Sequence, residues 1–95
     1  MNKNFDIGGL VDVLTVEKVR RDLAVRFKER RKEARLTQKE LADKAMVSYA
    51  SLRRFESTGE VSLSALLRMA QALDCLDDFS KLFDKKSKVV FEWGD

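Results

Sequence analysis

Histidine and proline are absent from this chain of 95 residues, and cysteine occurs only once, at Cys75. Without histidine, neither a Ser-His-Asp triad nor a Cys-His pair can form, and the usual zinc ligand sets cannot be assembled. A disulfide within the chain is also excluded, which suits a reducing compartment. The four glycines form no glycine-rich phosphate loop. We therefore expect no enzymatic activity, no metal site and no cofactor.

Long apolar runs are missing as well. No stretch reaches the roughly 18 apolar residues that suggest a membrane span, and the N-terminus lacks the pattern of a signal peptide. With 44% hydrophobic and 37% charged residues, the composition is typical of a small soluble domain with a densely charged surface. We expect a cytoplasmic protein with no membrane partner.

Positive charge is concentrated in one part of the chain. The net charge is only +3, but residues 17–59 contain 13 Lys and Arg against 7 Asp and Glu, whereas the remainder contains 6 against 9. Such a cation-rich segment is typical of a surface that binds a polyanion. A solvated charged face has the same composition, so charge alone does not decide between the two interpretations.

Helical periodicity dominates from about Thr15 to Phe83 and predicts five helices. The first begins near Thr15, ends near 34–35 and carries one apolar stripe, formed by Val16, Val19, Leu23 and Phe27. A capping box of Thr37 and Glu40 opens the second helix, which ends by Ala45. Its inward-facing residues are predicted to be Leu41, Ala42 and Ala45.

The remaining helix starts are marked by serine. Ser48 can cap a third helix that is anchored by Leu52 and Phe55 and stopped by Gly59. Ser62 can cap a fourth, with a predicted buried stripe of Leu63, Leu66, Leu67, Ala70 and Leu73. A fifth is predicted from about Asp77 to Phe83, with Phe79, Leu82 and Phe83 packing inward.

Two tails flank the helical region, an N-terminal extension at 1–14 and a C-terminal tail at 84–95. Residues 89–93 of the second tail are β-prone, and a lone strand would leave an unprotected edge. This short strand would pair with a second copy, pack on the helices, or stay loose. The sequence leaves these alternatives open, so the C-terminal tail is a candidate segment for dimerisation or partner binding.

Residues 36–59, LTQKELADKAMVSYASLRRFESTG, resemble the helix-turn-helix core of the phage-repressor and Cro-like family, often called the XRE family. Counted from Gln38, the fifth position is the small Ala42, where two helices cross closely. The fourth, tenth, fifteenth and eighteenth positions are apolar: Leu41, Val47, Leu52 and Phe55. The resemblance covers about residues 20–83. It implies an all-α, five-helix, lambda-repressor-like DNA-binding domain at 15–83, with its motif at 37–58.

The resemblance also implies roles for particular residues. In this family the second helix of the motif reads duplex DNA, and matching positions place Tyr49, Ala50, Arg53 and Arg54 at the base edges. For Tyr49, a phosphate contact and a role in covering the helix start are open alternatives. Ser48 and Ser51 lie nearby, Gln38 would contact a phosphate and brace the recognition helix, and Lys39 and Ser57 would be further phosphate contacts. Arg31 and Glu56 match a structural ion pair that ties the first helix to the recognition helix.

Three residues depart from the family pattern. Met46 and Arg35 stand where members favour glycine, and Arg30 replaces an apolar residue. If the backbone at Met46 and Arg35 is left-handed, each side chain costs about 1 kcal/mol. The angle of the recognition helix is less firmly predicted for that reason.

The function implied by the resemblance is transcriptional regulation, in the simplest case repression by a homodimer on a palindromic operator. An alternative is an antitoxin that binds DNA and also holds a toxin protein through its tails. Controller proteins of restriction systems are a third possibility of similar size.

Overall fold

The computed structural model describes residues 13–85, and this part of the chain contains five helices. These are α1 (Val16–Glu33), α2 (Gln38–Ala45), α3 (Tyr49–Thr58), α4 (Leu63–Ala72) and α5 (Asp77–Ser80). Within this part of the chain there is no strand, so the prediction of an all-α, five-helix domain is confirmed. The predicted strand at 89–93, and most of both tails, lie outside the described residues.

Hydroxyl side chains open four of the five helices. At each start the hydroxyl accepts a hydrogen bond from the backbone N–H three residues later; these N-caps are Thr15, Thr37, Ser48 and Ser62. At Thr37 the bond is reciprocated, because the Glu40 carboxylate accepts from the Thr37 N–H at 2.9 Å. A cap of this kind typically stabilises a helix by about 1 kcal/mol. The predicted starts of α1 to α4 are confirmed.

A compact core joins the first four helices. Leu41, Leu52, Phe55 and Met69 are completely or almost completely buried. Phe27 of α1 packs edge-on against Phe55, with ring centroids 5.2 Å apart. Helix α2 packs against both α3 and α4, and α1 packs against α3. This packing holds α3 at a fixed place on the surface of the domain.

The apolar stripe predicted for α1 is only in part its buried face. Val16, Val19 and Leu23 are exposed, whereas Ala24 and Arg31 are buried. The face that packs on the domain is spaced as Arg20, Ala24, Phe27 and Arg31, and it shares only Phe27 with the predicted stripe. Because two of these four positions are arginines, hydrophobic periodicity places the predicted stripe to one side of the buried face.

Two further packing predictions were wrong at helix ends. Leu63, the first residue of α4, is exposed, and Met69 is buried instead. Helix α5 ends at Ser80 rather than near Phe83. Phe83 adopts a left-handed backbone, with φ of 65°, and its side chain is fully exposed. The side chain of Leu82 is also exposed.

Candidate nucleic-acid interface

A short turn joins α2 to α3 and sets the direction of the second helix. Met46 ends α2 in the left-handed conformation, with φ of 59°, and Val47 N–H donates to Ala42 O at 3.0 Å. Ser48 then caps α3 through Ser51 N–H. Arg35, just after α1, is also left-handed, with φ of 62°. Arg35 and Met46 therefore both adopt a conformation that favours glycine, and each side chain costs about 1 kcal/mol of stability there.

The side of α3 that faces away from the core carries the predicted DNA-contacting residues. We call this surface the outer face of α3, formed by Tyr49, Ala50, Arg53, Arg54 and Ser57. All five are exposed, and the last four, at spacings of three and four, line one concave surface. The Arg53 guanidinium lies 5.4 Å from the centre of the Tyr49 ring, a cation–π contact.

Two residues from other helices line the same concave surface, Lys28 of α1 and Gln38 of α2. Lys28 was missed from the sequence, because its helix lies outside the helix-turn-helix motif. The only available signal was its place in the cation-rich segment. Lys28, Arg53 and Arg54 stand together on this surface. Its one acidic lining residue within 13–85, Glu56, is paired with Arg31, so the net charge of the surface is positive.

The side of α3 that faces the core carries an ion pair. Arg31 Nε–H donates to Glu56 Oε2 at 2.7 Å, and Arg31 Nη2–H donates to Glu56 Oε1 at 3.0 Å. The third arm of the guanidinium donates to Leu36 O at 2.9 Å. The side chains are only 8% and 3% exposed. Arg31 and Glu56 thus connect α1, the loop before α2, and α3, in the arrangement that the resemblance implied.

Gln38 joins this cluster from α2. Its Nε2–H donates to Glu56 Oε1 at 2.9 Å, so one carboxylate receives hydrogen bonds from two helices. Gln38 therefore braces α3 directly. Its contact with a phosphate stays a prediction.

Charges and hydrogen bonds around Glu56 decide its protonation. Burial raises the pKa of Glu56, but hydrogen bonds from Arg31 and Gln38 and the positive charges of Arg31 and Lys28 outweigh it, leaving the pKa below its ordinary value. The hydrogen bond to Glu56 raises the pKa of Arg31 despite partial burial. Both groups are charged at neutral pH, and the carboxylate does not present an unpaired negative charge to the concave surface.

Of the other predicted contacts, Ser57 lines the concave surface, whereas Ser48, Ser51 and Lys39 lie beside it. Ser48 and Ser51 meet at the start of α3, where the Ser48 hydroxyl serves as the cap. Ser57 Oγ–H donates to Arg54 O at 3.2 Å. Lys39 is exposed in the first turn of α2 but does not line the concave surface.

The remaining chemistry of residues 13–85 is limited. No group of three or more acidic or cysteine side chains in this range could hold a metal ion. Burial raises the pKa of the Cys75 thiol, and nearby aspartates raise it further against the opposing effect of Arg30. Such a thiol is a poor nucleophile at neutral pH.

None of the helices described between 13 and 85 is both long and apolar enough to cross a membrane.

The fold and this surface define a DNA-binding helix-turn-helix domain. A family model described as helix-turn-helix matches residues 27–78, more than half of the chain. The chain therefore belongs to the XRE-type helix-turn-helix family, whose members are DNA-binding regulators of transcription. No curated protein matches the chain.

Proposed function

We propose that this protein binds a specific sequence of duplex DNA through the outer face of α3 and represses transcription from that site. One observation carries the proposal: two arginines and an alanine project from one exposed helix face, while the opposite face is locked into the core. A helix held rigidly with exposed base-reading side chains is the arrangement that major-groove recognition needs.

The side chains of the outer face suit particular bases. Arg53 and Arg54 can each donate two hydrogen bonds to O6 and N7 of a guanine, and the Ala50 methyl can pack against a thymine methyl. Tyr49 lies at the start of α3, where it holds the Arg53 guanidinium over its ring. In this proposal Ser48 and Ser51 are further contacts near the helix start.

Contacts with phosphates would fix the orientation of α3 in the groove. Lys28 and Gln38 line the concave surface from the two neighbouring helices, Ser57 lines it from α3, and Lys39 lies beside it. Such contacts supply affinity but read no sequence. Their cations make binding depend on salt, because counterions are released from the DNA.

A homodimer on a palindromic operator completes the proposal. Helix α3 has ten residues and is therefore about 15 Å long, enough to cover only a few base pairs. Two copies about 34 Å apart would read two half-sites on the same side of the duplex. The domain at 15–83 would supply DNA binding, and the tails at 1–14 and 84–95 would be available for contacts with the second copy.

Selection from a random duplex library with purified protein, at about 0.15 M salt, tests the proposal. A palindromic consensus with half-sites one helical turn apart is the expected result. A single non-repeated site would contradict the homodimer while keeping sequence-specific binding. Enrichment of no sequence would contradict the whole proposal and direct the search toward protein partners, such as a toxin bound by the tails.

A further inference from the structure

Arg54 has an acidic neighbour, Glu60, that the DNA-contact proposal above leaves without a role. Arg54 Nη2–H donates to Glu60 Oε1 at 2.5 Å, and the two side chains are 66% and 46% exposed. Because water surrounds this ion pair, it adds little to the stability of the fold. What remains to be considered is how the carboxylate affects Arg54 itself.

The backbone that carries Glu60 is fixed to α3. The Thr58 hydroxyl donates to Arg54 O at 2.7 Å and accepts from the Glu60 N–H at 3.0 Å. One side chain thus bonds to the backbone of both members of the pair. The Glu60 carboxylate is in this way kept within reach of the Arg54 guanidinium.

Gly59 holds the same segment against α1. Its φ is 80°, and a Cβ added there would lie 2.8 Å from the backbone oxygen of Arg20, closer than such atoms approach in proteins. The chain can therefore pass α1 at this distance only with glycine. Glu60 follows directly, so its position is set by α1 as well as by α3.

A carboxylate in this position changes what Arg54 can bind. Guanidinium has five N–H donors, and Glu60 accepts from one of its nitrogens, which leaves donors for the two acceptors of a guanine. Phosphate contacts depend mainly on positive charge, and the carboxylate offsets that charge. A base contact depends on donor direction, which the carboxylate helps to fix.

We infer that Glu60 is a specificity-determining residue that orients Arg54 toward a base edge and disfavours contact of Arg54 with phosphates of non-specific DNA. The inference rests on the proposed function, since it requires Arg54 to read a base. Glu60 acts through Arg54 and touches no base in this scheme, so it is a positioning residue.

Glu60→Gln tests the inference by removing the charge while keeping the shape of the side chain. Binding to the selected duplex and to a scrambled duplex is measured by fluorescence anisotropy at about 0.15 M salt. We expect tighter binding to scrambled DNA and a ratio of the two affinities reduced about tenfold. Because Glu60 is exposed, the midpoint of thermal unfolding should stay as in the unaltered protein.

Glu33→Gln is the matched control. It makes the same charge change on an exposed residue of α1, and it lies two positions beyond Arg31, about 200° round the helix from the side that faces α3. We expect it to leave the affinity ratio unchanged. If Glu60→Gln also leaves the affinity ratio unchanged while the unaltered protein prefers its selected site, the inference is overturned and the proposed function stands.

The background variant Arg54→Ala separates positioning from a general charge effect. If Glu60 acts through Arg54, then Glu60→Gln should not change the affinity ratio further once Arg54 has been removed. A further drop in the ratio would overturn the inference. Absence of any sequence preference in the unaltered protein would overturn both this inference and the proposed function.

Discussion

The two sides of α3 differ in burial, in bonding and in what a substitution would do to them. On the inner side, Leu52 and Phe55 are buried, and Glu56 accepts three hydrogen bonds from other helices. On the outer side, Arg53 and Arg54 are exposed and bond only to near neighbours in sequence. The inner side fixes where the helix lies, and this leaves the outer side able to vary without loss of the fold.

The two ion pairs of α3 show the same contrast. Arg31 and Glu56 join residues 25 apart in sequence and are shielded from water, whereas Arg54 and Glu60 are six apart and largely exposed. Removing one partner of a shielded pair strands a charge, while an exposed pair is worth little. The first pair should therefore matter for stability and the second for binding.

The largest effect should come from deleting an inner aromatic ring. Phe55→Ala is expected to reduce the free energy of unfolding by about 3–5 kcal/mol, because the ring is buried and its removal leaves a cavity. Tyr49→Ala, on the outer side of the same helix, should cost less than about 1 kcal/mol. Urea denaturation measures both, and equal losses would contradict the division of α3 into two sides.

The inner ion pair should give the next largest effect. Glu56→Ala leaves the Arg31 guanidinium without its carboxylate and is expected to cost about 3 kcal/mol of stability. Glu60→Ala, the matched change in the exposed pair, should cost less than about 0.5 kcal/mol. The double change Arg31→Met and Glu56→Met should recover much of the loss, since no charge is then stranded.

Acid should weaken the inner ion pair without any change of sequence. The pKa of Glu56 is lower in the folded protein than its ordinary value of 4.5. Its contribution is therefore fully present above that value and is lost as the pH falls through the folded-state pKa. The stability difference between the unaltered protein and Glu56→Ala should shrink between about pH 5 and about pH 2. A constant difference over that range would contradict the lowered pKa.

The smallest effect is expected in the turn. Met46→Gly should stabilise the fold by about 1 kcal/mol, because the backbone there is left-handed and the side chain is 78% exposed. Lys44→Gly, at an exposed position two residues earlier within α2, should instead destabilise by about 1 kcal/mol. A loss of stability at both positions, measured by urea denaturation, would show that Met46 makes a contact that outweighs the backbone strain.

Local signals were sufficient to predict the helix starts and the inner side of α3. Thr37 with Glu40, and Ser48 and Ser62 alone, act on backbone groups within three residues, so their effect can be read without the fold. The spacing of Leu52 and Phe55 indicated the buried side of α3 for the same reason.

Features that depend on distant partners could not be predicted locally. The buried face of α1 includes Arg20 and Arg31, and their partners lie in and just after α3. Arg20 packs against Gly59, and Arg31 pairs with Glu56. Hydrophobic periodicity assigns only apolar residues to a buried face, so it cannot predict a buried arginine. Only the family resemblance pointed to the Arg31 pair, and the only signal for Lys28 was its place in the cation-rich segment at 17–59.

The central claim is that the outer face of α3 reads base sequence, and repeated site selection tests it most directly. The library experiment is run with Arg53→Ala and with Arg54→Ala. Arg26→Ala is the control, because Arg26 lies on α1 and lines a different groove, beside Phe79. We predict that each α3 variant loses preference at one position of each half-site, at a cost of about 1–3 kcal/mol, and that the control keeps the full consensus. An unchanged consensus in both α3 variants would contradict the claim.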